Sequence, residues 1–243
     1  MQLKKIYRYI RIDVIRLLAR IFGTGLNLKN LNQKALILAP HPDDEVLGCA
    51  GLIQYLNKTG KEVYVAILTN GENALQNHEK EEIIQARKTS TLKAAEILNL
   101  KNIYWCNMED GNIEASKREL LLNFVNELKP DVVFVPHYLE GWEDHEATEK
   151  IGSDLMSTMP YLICYHYCVW FWFSMPYAEF AKVHWKNAKI LNMSDKEHQN
   201  KLEAIDVYVK AKSPEGEPYS GYLPDEFLYA NRWRKELFFE VKK

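Results

Sequence analysis

Ala35-Leu36-Ile37-Leu38-Ala39-Pro40-His41-Pro42-Asp43-Asp44-Glu45 is the stretch on which the fold turns. Its unbroken apolar run reads as a strand buried on both faces, as strands of a parallel sheet are. Pro40 ends the run, three carboxylates follow, and residues 46–58 take up a helical pattern that stops near Gly60. Residues 62–69 form a second apolar, β-branched segment. Strand, helix and strand in that order predict a parallel sheet. Working outward, the spacing predicts a helix over 79–98, a short strand over 102–105, a helix over 116–128 and a strand over 132–135. The expected fold is a doubly wound α/β domain with a mostly parallel, Rossmann-like sheet and helices on both faces.

Beyond residue 135 the pattern predicts a helix over 146–157 and then one buried strand over the aromatic run 161–173, some of whose rings are suited to stacking on a sugar. After about residue 176, turn-forming residues point to an appended helix and loops, with 214–224 as a surface loop. A chain of 243 residues buries enough surface to need neither a disulfide nor a structural metal. A metal site in it is therefore expected to be functional. The net charge of −2 lacks the electrostatic footprint of a nucleic-acid binder. Cys49, Cys106, Cys164 and Cys168 sit in apolar surroundings without a Cys-x-x-Cys pair and read as reduced core thiols, which fits the cytoplasm.

Residues 1–30 read as a basic amphipathic helix and a connector, preceding a single α/β domain over 31–243. It carries Lys4, Lys5, Arg8, Arg11, Arg16 and Arg20 with Asp13 as its single acid, and Leu3, Ile6, Tyr7, Ile10, Val14, Leu17, Leu18 and Ile21 recur at helical steps. The segment has neither the apolar core and cleavage site of a signal peptide nor the length of apolar sequence that spans a bilayer. Two readings follow: a helix lying peripherally on an anionic inner membrane surface, facing a lipid-linked substrate, or a helix whose apolar residues cover a patch of the domain.

The loop after the first strand of an open α/β sheet lies at the ligand-binding edge. Here it carries carboxylates, which repel phosphate and attract cations, so a metal is the consistent ligand. His and Asp supply nitrogen and oxygen donors suited to zinc, and a catalytic zinc needs about three protein ligands. The third comes from elsewhere. His145, in Trp142-Glu143-Asp144-His145-Glu146-Ala147, is the natural candidate, and His137, directly after a strand, competes with it.

These residues resemble the LmbE-like, or PIG-L-like, N-acetylglucosaminyl deacetylases. Ala39-Pro40-His41-Pro42-Asp43-Asp44-Glu45 is similar to that family's Ala-His-Pro-Asp-Asp-Glu. The likeness continues through Gly48, Gly51, Leu68-Thr69-Asn70-Gly71-Glu72, Arg87 with Ala94, Ala95 and Leu98, Asp110-Gly111, Pro130-Asp131-Val132-Val133 and Asp144-His145. It implies Zn2+ held by His41, Asp44 and His145, with Asp43 as general base in removing an N-acyl group, in the first place acetyl, from an amino sugar or glycoconjugate. Adjacent carboxylates diverge from a turn, so one can bind metal while the other takes a proton from water. Glu45 is expected to support a ligand. Arg87, Asp110 and Asn70 fall at family positions on the pocket rim. Two departures stand out: Trp142 occupies the place of a family histidine, and Ser90 that of a glutamate. Either His137 takes over the missing imidazole's role or Trp142 shapes the pocket for a different sugar. The competing class is a sugar- or nucleotide-binding module of impaired activity, against which the retention of both Asp43 and Asp44 beside a full ligand set speaks.

Overall fold

The apolar run 35–39 lies in β2 (Lys34–Ala39), with every residue after Lys34 buried. It sits between two parallel neighbours, β3 (Glu62–Thr69) and β5 (Val132–Pro136). The molecule is a computed structural model that describes residues 2–28, 34–113, 118–175 and 177–242. Outside β3 lies β4 (Asn102–Met108), and outside β5 lies β6 (Ile163–Tyr167), both parallel to their neighbours. The chain thus leaves β2 in one direction through β3 and β4, then returns to its other side at β5. That reversal places a topological switch point between β2 and β5, where open α/β sheets bind ligands beyond the strand ends.

The helices α2 (Asp44–Lys58), α3 (Lys80–Leu98) and α8 (Asp195–Lys210) pack on one another and share one apolar cluster with the sheet. A second cluster joins α4 (Arg118–Leu128) and α5 (Glu143–Thr158) to residues of alternate parity in the same strands, Leu36 and Leu38 against Ile37 and Ala39. Alternation of side chains across a strand puts these clusters on opposite faces. The expected doubly wound, mostly parallel sheet is what forms. Gly48 is required where α2 crosses β6, since a Cβ there would lie 2.4 Å from the Tyr167 ring.

Several expectations need correction. The aromatic run is not one strand. After Tyr167 the backbone N–H groups of Val169 and Trp170 turn to the Glu140 carboxylate instead of a neighbouring strand, and the chain enters the short α6 (Phe171–Ser174). A further short helix, α7 (Tyr177–Phe180), follows. The C-terminal part is not appended: β7 (Ala188–Asn192) and β8 (Lys235–Glu240) extend the sheet, with β8 antiparallel to both β6 and β7. The full order is β1-β7-β8-β6-β5-β2-β3-β4, where β1 is Thr24–Gly25. The fourth strand runs three residues past the expected end, and α5 begins at Glu143 instead of 146, its first turn carrying Glu143, Asp144 and Glu146 where the helix dipole favours acids.

The helix α1 (Gln2–Phe22) does pack on the body, beside α6, α9 (Asp225–Asn231) and β7, but the apolar residues it buries are not those the sequence singled out. Ile12, Ile15 and Ala19 are buried completely in a third apolar cluster. Burial of two isoleucines stabilises that docking by about 1.5–3 kcal/mol each. No helix among the described residues is long and apolar enough to cross a membrane.

Candidate active site

Beyond the carboxyl end of β2 the chain turns through His41 and Pro42 into α2. Asp43 stands at the N-cap with φ +127°, a backbone conformation L residues rarely adopt. Aspartate at an N-cap ordinarily accepts a hydrogen bond from the first turn. This one does not, and its carboxylate lies 3.4 Å from the Arg87 guanidinium instead. The strained peptide is held from both sides: Asp43 N–H donates to Glu45 at 3.0 Å, and the Asp43 carbonyl accepts from Val46 and Leu47. Glu45 is fixed in turn by the Tyr208 hydroxyl at 2.6 Å, and Tyr208 lies 3.0 Å from the Thr91 hydroxyl. Arg87 donates to the Pro42 carbonyl at 2.6 Å. Its guanidinium passes over Gly71 (φ +67°), where a Cβ would come within 2.6 Å.

One Asp44 oxygen accepts His41 N–H at 3.0 Å and lies 3.2 Å from His41 Nδ1 and 3.4 Å from His145 Nε2. His145 reaches it from the first turn of α5. The three donor atoms lie within 4.8 Å of one another, and this trio can hold a divalent cation. The outward nitrogens support that fit. His145 Nδ1 has no hydrogen-bond partner and lies 3.5 Å from Glu140, and His41 Nε2 lies 3.1 Å from both Asp110 and Asp144. A carboxylate behind each ligating imidazole is the usual support of a metal-bound histidine. Asp110 and Asp144 are themselves anchored by backbone N–H groups of Asn73 and Gly111.

Charge is tightly coupled here. Burial pushes the Asp43 carboxyl up to about 7, with Asp44 adding to the push and Arg87 resisting. Burial takes Glu45 up to about 7 as well, against the Tyr208 hydrogen bond. For Asp44 burial acts upward too, but His145 and His41 outweigh it and hold the group far below the usual carboxylate range. His145 rises to about 9 because Asp44 and Glu140 overcome its burial.

A cavity of about 710 Å³ opens over this cluster, lined by His41, Asp43, Asp44, Arg87, Asp110, Trp142 and His145 among others. Trp142 stands at its rim, half exposed, with its ring 5.2 Å from that of Trp170. Two sequence-predicted residues are not brought in. His137 is buried among Tyr138, His166, Phe171 and Phe239, accepts Leu139 N–H on Nδ1 and lines a different cavity. It cannot stand in for the missing imidazole from there. Asn70 is not among the lining residues either. Of the aromatic run only Trp170 lines the cavity, and the supposed surface loop 214–224 supplies a wall through Ser220, Gly221, Tyr222, Leu223 and Pro224. Glu140 was missed, because a lone acid in a polar loop carries no signal until the fold sets it behind His145.

Fold and site together define a class: an α/β protein whose first loop presents His and Asp donors able to hold a divalent cation, beside a second buried carboxylate paired with an arginine. The model of the PIG-L family, described as GlcNAc-PI de-N-acetylase, matches residues 36–156. The chain is 27% identical over 132 residues to the diacetylchitobiose deacetylase of Thermococcus kodakarensis, covering 51% of this chain and 49% of that protein. It is 29% identical over 144 residues to a probable N-acetyl-alpha-D-glucosaminyl L-malate deacetylase of Bacillus anthracis, covering 55% and 63%. The matches thus span less than two thirds of either relative. Among solved structures, the N,N'-diacetylchitobiose deacetylase of Pyrococcus horikoshii superimposes with a TM-score of 0.62 at 25% identity, over 78% of this chain and 76% of that one.

Proposed function

We propose that this protein is a zinc-dependent hydrolase that removes an N-acyl group, in the first place acetyl, from an amino sugar or glycoconjugate. The observation that carries the reading is Asp43: a buried carboxylate at an N-cap that declines to cap, raised to about 7 and facing a cavity beside three convergent metal donors. His41 Nδ1, Asp44 and His145 Nε2 would hold the cation, and two nitrogens with one carboxylate oxygen suit zinc. When bound, the metal acidifies water and polarises the acyl carbonyl.

The chain's own residues supply the rest. Asp43 takes the proton of the attacking water and delivers it to the leaving amine, work for which a group near neutrality is suited. Arg87 fixes that carboxylate, while Glu45 and Tyr208 fix the peptide that bears it. Asp110 and Arg87 at the cavity wall suit sugar hydroxyls, and the Trp142–Trp170 pair offers an apolar surface for a ring. The names of the relatives, deacetylases of diacetylchitobiose and of a glucosaminyl malate, support an N-acetyl amino sugar as substrate class. Buried free cysteines support a reducing compartment, in keeping with the cytoplasm.

The test is metal analysis joined to acetate release from a panel of N-acetyl sugars. The purified protein is expected to carry about one zinc per chain. His145→Ala is expected to lower occupancy far more than His137→Ala. Metal without any acetate release would favour a binding module, and equal metal loss in the two variants would defeat the ligand assignment.

A further inference from the structure

The helix α1 has two apolar faces, and only one is used. Ile12, Ile15 and Ala19 are buried against the body. Leu3, Ile6, Ile10, Val14, Leu17 and Ile21 lie on the opposite side at helical spacing, between 40% and 82% exposed. Solvent-facing aliphatic stripes of this length are rare on soluble proteins and mark contact surfaces. The basic side chains largely hold the helix down. Lys5 pairs with Asp225 at 2.6 Å, Arg8 lies 3.6 Å from Glu226 and over the Phe173 ring, and Arg16 donates to the Tyr229 carbonyl at 2.7 Å. Lys4 and Arg20 remain exposed near the two ends of the stripe.

We infer that this stripe docks the enzyme on an anionic lipid surface, the helix lying in the interface with its outer face inserted. Charge decides between lipid and a second copy of the chain. Lys5, Arg8, Arg11 and Arg16 are taken up by the body, which leaves Lys4 and Arg20 as the charges beside the stripe, and the helix's one acid, Asp13, is taken up by Arg16 and the Tyr229 hydroxyl. Two copies packed stripe to stripe would set cation against cation. Anionic headgroups pair with Lys4 and Arg20 while the aliphatic face enters the acyl boundary.

The docking also bears on the cavity. Asp225 and Glu226, to which α1 is tied, follow Pro224 of the cavity wall directly, and Tyr222 beside it is 82% exposed. Tyrosine and tryptophan favour the headgroup level of a bilayer. One wall of the cavity is therefore joined to the docking helix through Asp225 and Glu226. The docking itself does not rest on the deacetylase reading.

Co-sedimentation with phosphatidylglycerol–phosphatidylcholine vesicles tests the docking without reference to activity. The full chain is expected in the pellet. Ile10→Glu with Leu17→Glu, both on the exposed face, is expected to reduce partitioning on the order of tenfold or more. The same variant is expected to keep its circular dichroism spectrum and zinc content. Lys4→Glu with Arg20→Glu is expected to remove the preference for anionic over neutral vesicles. A full chain that stays in the supernatant overturns the inference. So does a dimer that the Ile10→Glu, Leu17→Glu variant splits without any vesicle binding, which would make the stripe a contact between copies.

Discussion

The helix α2 carries two buried ionic clusters, and they are built on opposite terms. In its middle, the Lys201 ammonium donates to the Leu47 carbonyl and to Glu236, while Glu236 accepts the backbone N–H groups of Gly51 and Leu52. That pair lies against the helix's own backbone, with each charge opposed and hydrogen-bonded. At the N-terminus, Asp43, Asp44, Asp110 and Asp144 crowd around His41, His145 and Arg87, and Arg87 Nε and His145 Nδ1 are left without partners. The inner cluster is saturated and structural. The outer one holds carboxylates in excess of its cations, an imbalance that a bound divalent cation corrects.

If that division is right, changes at the two clusters separate activity from stability. The largest expected effect is at the outer one. Asp43→Asn should lose about 10²–10⁴-fold in turnover while keeping its metal, read by acetate release and metal analysis. Loss of metal with the rate would move Asp43 among the ligands. Next, Lys201→Met should lower the free energy of unfolding by about 3–5 kcal/mol in denaturant titration, because Glu236 is left buried without its countercharge. Its metal stoichiometry in the folded protein should not change. An equally stable variant would show that the pair is dispensable.

A smaller effect is expected behind the ligands. Asp110→Asn should weaken metal binding by about 10–100-fold, the usual cost of removing a carboxylate behind a ligating histidine. Last, Tyr208→Phe should cost about 1–3 kcal/mol, because it leaves a buried Glu45 oxygen without its donor. Its metal affinity should stay the same, and a large drop there would tie the Glu45 support to the metal rather than to the fold.

The sequence made the outer cluster legible and hid the inner one, for a physical reason. A continuous apolar run that stops at contiguous carboxylates announces both a buried strand and its loaded edge, and His145 follows from a second such edge. The partnerships of Lys201 with Leu47 and Tyr208 with Glu45 join residues more than 150 positions apart and leave no local pattern. Glu140 and the wall 220–224 were hidden for the same reason. The aromatic run misled because its β propensity stood, while the turn at Val169 depends on a distant carboxylate. On α1 periodicity showed apolar spacing but could not say which of two apolar faces meets the body.

The positive φ of Asp43 is a local cost to stability that the chemistry of its side chain keeps in place. A glycine at that position would adopt the backbone angle without steric cost and would bury no carboxylate. Asp43→Gly is therefore expected to melt no lower than Asp43→Asn, while lacking the proton acceptor. Selection for heat resistance alone would push position 43 toward glycine, and selection for turnover would pull it back. The aspartate would then be a point of conflict between durability and chemistry, the kind of position at which gains in one are recorded as losses in the other.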